Sequence, residues 1–289
     1  MNIEKNTVKI LTYDIETLTP YVNWIYFNHA WGLDGKPAQA KRELKEEALA
    51  MLRRWQGRYV TRAVFALYDA NSDGDDLIIN GTRVPMLRQQ TGDGTDGLCY
   101  CLSDFVRPLS SGVKDTVGVF ATTAGSAMVS ETDDNPYDRM MAQTLADRLA
   151  EATAEVMHRD VRVNYWGYAP DEHLGIDDLH AERYQGIRPA VGYPSLPDVS
   201  ANFILQTLVP MRDIGIRLTE TGMMIPHASV SGFMFAHPQS RYFNVGPIGE
   251  DQLADYARRR GVDVETMRKF LRANLREKRR ERTRVYFKM

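Results

Sequence analysis

The chain has 289 residues, 43% hydrophobic and 26% charged, with 36 basic against 38 acidic side chains and a formal net charge of -2. That balance belongs to a globular protein long enough for one large domain or two small ones, and it gives no chain-wide attraction to nucleic acid. No run approaches the roughly 18 apolar residues of a membrane span, and the N-terminal MNIEKNTVKILTYDI is too polar for a secretory signal, so neither a membrane nor an export role is expected.

After an N-terminal arm, residues 37–55 place Leu44, Ala48, Met51, Leu52 and Trp55 at helical spacing. From 59 to 79 the pattern turns to β-branched and aromatic alternation, broken by a turn rich in Asn, Ser, Asp and Gly, which predicts a hairpin-like pair. Cys99 and Cys101, the two cysteines of the sequence, alternate onto one strand face and are poorly placed to bridge each other, which suits a reducing cytoplasm. Strands are expected at 117–123, 216–224, 230–236 and 242–245, and helices at 201–214, 250–260 and 263–275. The main helix, 138–161, carries Met141, Leu145, Leu149, Ala152 and Val156 in one stripe with no internal breaker. No period repeats and there is no regular βαβ alternation, so the order of elements favours an α+β fold around an antiparallel-rich sheet.

Several motifs stop short of a function. DANSDGDD, residues 69–76, copies the opening of an EF-hand loop, but its twelfth position is Asn80 and its flanks read as strands, leaving an ordinary acidic turn. There is no Walker loop, no dinucleotide glycine fingerprint and no Gly-x-Ser-x-Gly elbow. His173 and His180 match no zinc spacing, and no metal is expected.

Two segments stand out, YWGYAPDEHL at 165–174 and YQGIRPAVGYP at 184–194. Arg188 sits in a loop stiffened by Pro189 and Pro194, opened by Gly186 and Gly192, with Tyr193 beside it. Such a loop suits a carboxylate, because a guanidinium fork binds one bidentately and glycines let backbone N–H groups approach; it equally suits a proline-rich connection whose arginine caps a helix. On the main helix Asp147, Glu151, Glu155 and His158 share one face. Spacing does not separate a solvated polar stripe from a cleft for a cationic ligand.

These residues, with ALADRLAEATAEVMH, CLSDFVRPLSSGVKDTVG, PHASVSGFMFAHPQSRYFNVGPI and DQLADYARRRG in one order over almost the whole chain, resemble the reactivation domain of cobalamin-dependent methionine synthase. The resemblance implies a C-shaped, antiparallel-rich α+β module spanning 1–275, followed by a basic extension at 276–289. It implies binding of S-adenosylmethionine, with cobalamin carried by the partner and a flavodoxin-type protein as electron donor. On the matched positions, Arg188 would hold the methionyl carboxylate, Tyr193 and the backbone near Ala190 would line the ligand, and Glu151, Tyr242 and Phe243 would complete its pocket. Pro226, His227 and Ala228 would lie on the cobalamin side, their segment's small residues suiting close approach by a flat macrocycle or, equally, tight internal packing. Asp147 would accept the histidine released from cobalt.

Three positions depart from the family pattern. Asn23 stands where an aspartate is usual, His227 where a glycine is usual, and SLPDVS, residues 195–200, replaces the familiar continuation after Tyr193. The expectation is an activation subunit serving, in trans, a methionine synthase core that lacks its own activation domain. A corrinoid- or partner-binding module without useful S-adenosylmethionine affinity, and a reactivator of another corrinoid methyltransferase, are the alternatives. The tail REKRRERTRVYFKM reads as a solvated end or as an arm for an acidic partner.

Overall fold

The apolar alternation from Val60 onward folds as one strand, β2 (Val60–Asp73), of 14 residues. At about 3.3 Å per residue it is roughly 46 Å long, and one edge is served by two partners in succession. β1 (Val8–Asp14) pairs with residues 60–66 and β3 (Asp76–Ile79) with residues 70–73. The opposite edge takes β5 (Asp115–Thr123), which in turn pairs with β8 (Ser229–Met234), while β4 (Thr82–Pro85) flanks β3. All these pairings are antiparallel and the sheet curls into half a barrel. This is a computed structural model, and it describes residues 4–92, 97–132 and 135–276. The basic tail expected at 276–289 falls, from residue 277 on, outside the described residues.

Helices α1 (Ile15–Leu18), α2 (Trp24–Ala30) and α3 (Ala38–Trp55) follow β1; α4 (Ala127–Ser130), α5 (Pro136–Asp160) and α6 (Ile176–His180) follow β5. α7 (Asn202–Leu208) precedes a two-stranded ribbon, β6 (Arg217–Leu218) with β7 (Met224–Ile225), and α8 (Glu250–Arg260) and α9 (Val264–Phe270) are the last helices of the described residues before a 3-10 turn, Arg272–Asn274. Successive β2 side chains point to opposite faces, and both faces are covered. Val64, Ala66, Tyr68 and Ala70 join a core with residues of α7, α8 and α9, while Ala63, Phe65 and Leu67 join Ala154, Met157 and Val161 at the end of α5. A strand buried on both sides reads as nearly continuous apolar sequence, as this one does. α5 starts where Asn135 accepts from the N–H groups of Tyr137 and Asp138 at 3.0 and 3.4 Å, with Pro136 at its first position. Its expected stripe packs against α1–α3, and alanines on its other faces admit the sheet.

Four expectations are corrected. β1 lies in the segment read as an arm. Residues 216–224 form a tight ribbon rather than a strand, because Gly222, at φ +82, turns the chain and its N–H bonds Thr219 O at 3.0 Å. Residues 242–245 form no strand, since Phe243 and Val245 spend their N–H groups on Ser195 Oγ and Pro194 O, both at 3.0 Å. The helix expected at 201–214 ends at Leu208, just ahead of Pro210, and resumes as a single 3-10 turn, Met211–Ile214. The acidic turn at 69–76 is the β2–β3 corner, and its carboxylates are held by Lys5, Arg83, Arg88, Lys114 and Arg259. Among the described residues no group of three or more His, Cys, Asp or Glu is placed to hold a metal ion.

Candidate functional site

The polar stripe of α5 is not a solvated face. It descends from half-buried Asp147 and Glu151 to Glu155, whose side chain is 6% exposed, and to fully buried His158. Opposite it runs the 187–191 loop, which is stitched to β8. Ile187 and Phe235 exchange N–H···O bonds of 2.9 Å, Val191 N–H bonds Ser231 O at 2.9 Å and Phe233 N–H bonds Pro189 O at 3.1 Å. The loop thus continues the sheet beyond its last strand. Gly232 makes this possible, because a Cβ there would lie 2.2 Å from Pro189 O.

Between helix and loop lies a cavity of about 670 Å³, within the usual range for a small-molecule site. Asn23, Glu151, Arg188, Ala190, Tyr193, Tyr242 and Phe243, the residues assigned to S-adenosylmethionine from sequence, all line it. Tyr21, Tyr26, Arg148, Glu155, His180, Glu182 and Ser195 line it too, and the sequence reading gave none of them to the ligand. Glu182 carried one visible signal, its position two residues before the YQGIRP motif; its φ of +55, costly for a residue with a side chain, shows only in the structure.

Arg188 does not cap a helix. Its Nη1 donates to Glu155 Oε1 at 3.1 Å and to Tyr184 Oη at 2.6 Å, its Nη2 makes a short bond to Glu155 Oε2, and its backbone N–H donates to Tyr242 Oη at 3.0 Å. Behind it, Arg162 forks onto Glu172 with bonds of 2.7 and 2.6 Å. Both guanidinium groups point a donor at His158 Nδ1, at 2.9 Å from Arg162 and 3.3 Å from Arg188. Since neither arginine can accept, Nδ1 is the lone-pair nitrogen and the proton sits on Nε2, towards Tyr168 Oη at 3.4 Å. Burial, with the two arginines adding to it, holds the His158 pKa well below its ordinary 6.5, so the ring is neutral.

Glu151 is the other carboxylate at the wall. It accepts from Arg148 Nη1 at 2.7 Å and from Tyr193 Oη at 3.1 Å. Burial raises its pKa, against the lowering effect of Arg148 and of the tyrosine bond; the same burial and Glu151 itself push Tyr193 up to about 12. Asn23 uses its Oδ1 to cap α2, accepting from Ile25 N and Tyr26 N at 3.1 and 3.4 Å. The SLPDVS departure also has a structural use, as Ser195 Oγ donates to Phe243 O while accepting from Phe243 N–H, which fixes that ring's backbone at the cavity.

The residues assigned to the cobalamin side lie off the cavity wall. His227, with a side chain 74% exposed, reaches Asp147 Oδ1 at 3.3 Å. Ala228 is buried and its carbonyl accepts from Ala124 N–H at 3.0 Å. Most small residues of the 226–232 segment serve internal packing: Ala228 in the helical core, Ser231 against Asn202, Gly232 under Pro189. Their smallness is therefore accounted for without a macrocycle. Pro226 and His227 remain towards the surface, near exposed Met223 and Ile225.

With this geometry in view, two likenesses bear on the chain. Residues 14–261 match the family described as vitamin B12 dependent methionine synthase, activation domain. A crystal structure of the MetH reactivation domain bound to AdoHcy is 37% identical, with a TM-score of 0.88 over 96% of this chain and 92% of the other. The curled sheet and the long helix are thus those of a known kind of domain, and the chain belongs to the vitamin B12-dependent methionine synthase activation domain family.

Proposed function

We propose that this chain binds S-adenosylmethionine in the cavity between α5 and the 187–194 loop and supports reductive methylation of cobalamin on a methionine synthase core. The observation that carries the reading is the meeting, at one cavity of about 670 Å³, of a guanidinium, a buried and a half-buried carboxylate and aromatic surface. S-adenosylmethionine asks for those groups together, since it presents a carboxylate, an ammonium, a sulfonium and a purine. Arg188 would receive the carboxylate, Tyr193, Tyr242 and Phe243 would border the purine and ribose, and Glu151 would offset positive charge. Asn23, already committed to the α2 cap, would meet the ligand through its amide rather than through a charge.

Displacement at a sulfonium methyl needs little acid–base help, so these residues act by holding the donor in place and excluding water. Cobalamin, carried by the partner, would supply the cobalt that receives the methyl group after a flavodoxin-type donor delivers one electron. Pro226 and His227, beside the exposed apolar Met223 and Ile225, suit such a neighbour. The Asp147–His227 contact is long and open to solvent, so it yields readily to an incoming imidazole. The core would be one without an activation domain of its own, served in trans.

Calorimetry with S-adenosylmethionine tests the site: saturable binding that disappears in Arg188→Ala is expected. Restored methionine synthesis, when the chain and a flavodoxin are added to a truncated core, tests the partner. A second reading, a corrinoid- or partner-binding module without useful ligand affinity, is favoured by one observation, the fork of Arg188 already filled by Glu155. Absence of binding at millimolar ligand would select it.

A further inference from the structure

The Arg188–Glu155 pair bears on which ligands the cavity accepts, given that an adenosyl amino acid binds there as proposed above. Both guanidinium tips of Arg188 are engaged, and both carboxylate oxygens of Glu155 are engaged by them. The pair faces the cavity, and behind it stands a second closed pair, Arg162 with Glu172, separated from the first by neutral His158. Two cations and two anions thus balance around an uncharged ring, in a place where side chains are almost dry.

A ligand carboxylate that takes Arg188 away strands Glu155 as a buried charge, and a ligand ammonium that takes Glu155 away strands Arg188; either loss is expensive. A ligand carrying both charges on one carbon strands neither. We infer that the Arg188–Glu155 ion pair reads the α-amino acid end of the ligand as a unit, carboxylate to Arg188 and ammonium to Glu155, and rejects ligands that present only one of the two charges. Glu155 is then a specificity-determining residue. It is set for this by its position one helical turn beyond Glu151 and by the rigidity of α5.

The claim is testable with unmodified protein and four thioethers that share the adenosyl group: S-adenosylhomocysteine, its decarboxylated analogue, its deaminated analogue and methylthioadenosine, which has neither charge. Calorimetric affinities should fall by about a hundredfold for each single-charge analogue relative to the parent, and both should bind more weakly than methylthioadenosine. Affinities of the single-charge analogues that lie between those of the parent and methylthioadenosine overturn the inference while leaving the site intact. Loss of all binding, S-adenosylmethionine included, overturns the site itself. Glu155→Gln should then restore binding of the deaminated, carboxylate-only analogue above the decarboxylated one, which a merely structural glutamate would not do. If Glu182→Gln produces that reversal and Glu155→Gln does not, Glu182 reads the ammonium and the inference falls.

Discussion

Two arginine–carboxylate networks, at opposite ends of the fold's chemistry, invite comparison. At the β2–β3 corner Arg83, Arg88 and Arg259 hold the acidic turn; beside the cavity Arg162 and Arg188 hold Glu172 and Glu155. The groups are the same and so are the bond lengths. Burial differs: Asp73 is 48% exposed and Asp76 5%, whereas Arg162 is wholly buried. Water screens much of the first network and little of the second, whose Arg188 side chain is 17% exposed, so the first serves mainly to fasten α8 to the corner, while the second is a charge arrangement sensitive to any charge that enters the cavity. The lesson is that an acidic run is informative only once its depth is known.

Removing Arg162 should draw the contrast most sharply. Arg162→Ala leaves Glu172 buried without a partner, and urea denaturation should show a loss of about 3–5 kcal/mol. Asp76→Asn, at the buried root of the corner, leaves Arg259 with Asp255 as its remaining charged partner and should cost about 1–3 kcal/mol in the same assay. A smaller effect comes from pH. His158 is neutral when folded and protonates below 6.5 when unfolded, so the unfolded state binds the extra proton; stability is complete above about pH 6.5 and falls as pH drops towards the lower folded value. His158→Asn, which keeps an acceptor for the two arginines, should flatten that slope in melting curves taken between pH 7 and 5. Asp73→Asn, at the exposed tip of the corner, should leave the denaturation midpoint unchanged, and a large loss there would erase the distinction drawn between the two networks.

What the sequence disclosed follows the same division. Period and punctuation located α3, α5 and the β2–β3 hairpin, because each has a long apolar stripe or a glycine-bearing turn. They missed β1, whose half-exposed edge lacks a strong alternation, and they read a strand into 216–224, where a glycine turns the chain. Family motifs placed seven residues on one cavity, Arg188 and Glu151 among them. Glu155 was visible as one member of a polar stripe, but nothing in its spacing said that it lies deeper than Glu151, because depth depends on the loop that β8 brings across it. His180 and Tyr21 were silent for a similar reason, and Glu182 offered only its place before the YQGIRP motif: all three reach the cavity from segments that only the fold brings together.

Gly232 never touches the cavity, yet it sets the height at which Arg188 stands above the sheet, through a clearance that even a methyl group would exceed. A substitution there would leave every cavity residue in place by name and would still lift the whole loop off its seat. The shape of this cavity therefore rests partly on an absence, a missing side chain on the strand beneath, and a chain with a larger residue there needs a different loop path even where the arginine motif is spelled the same.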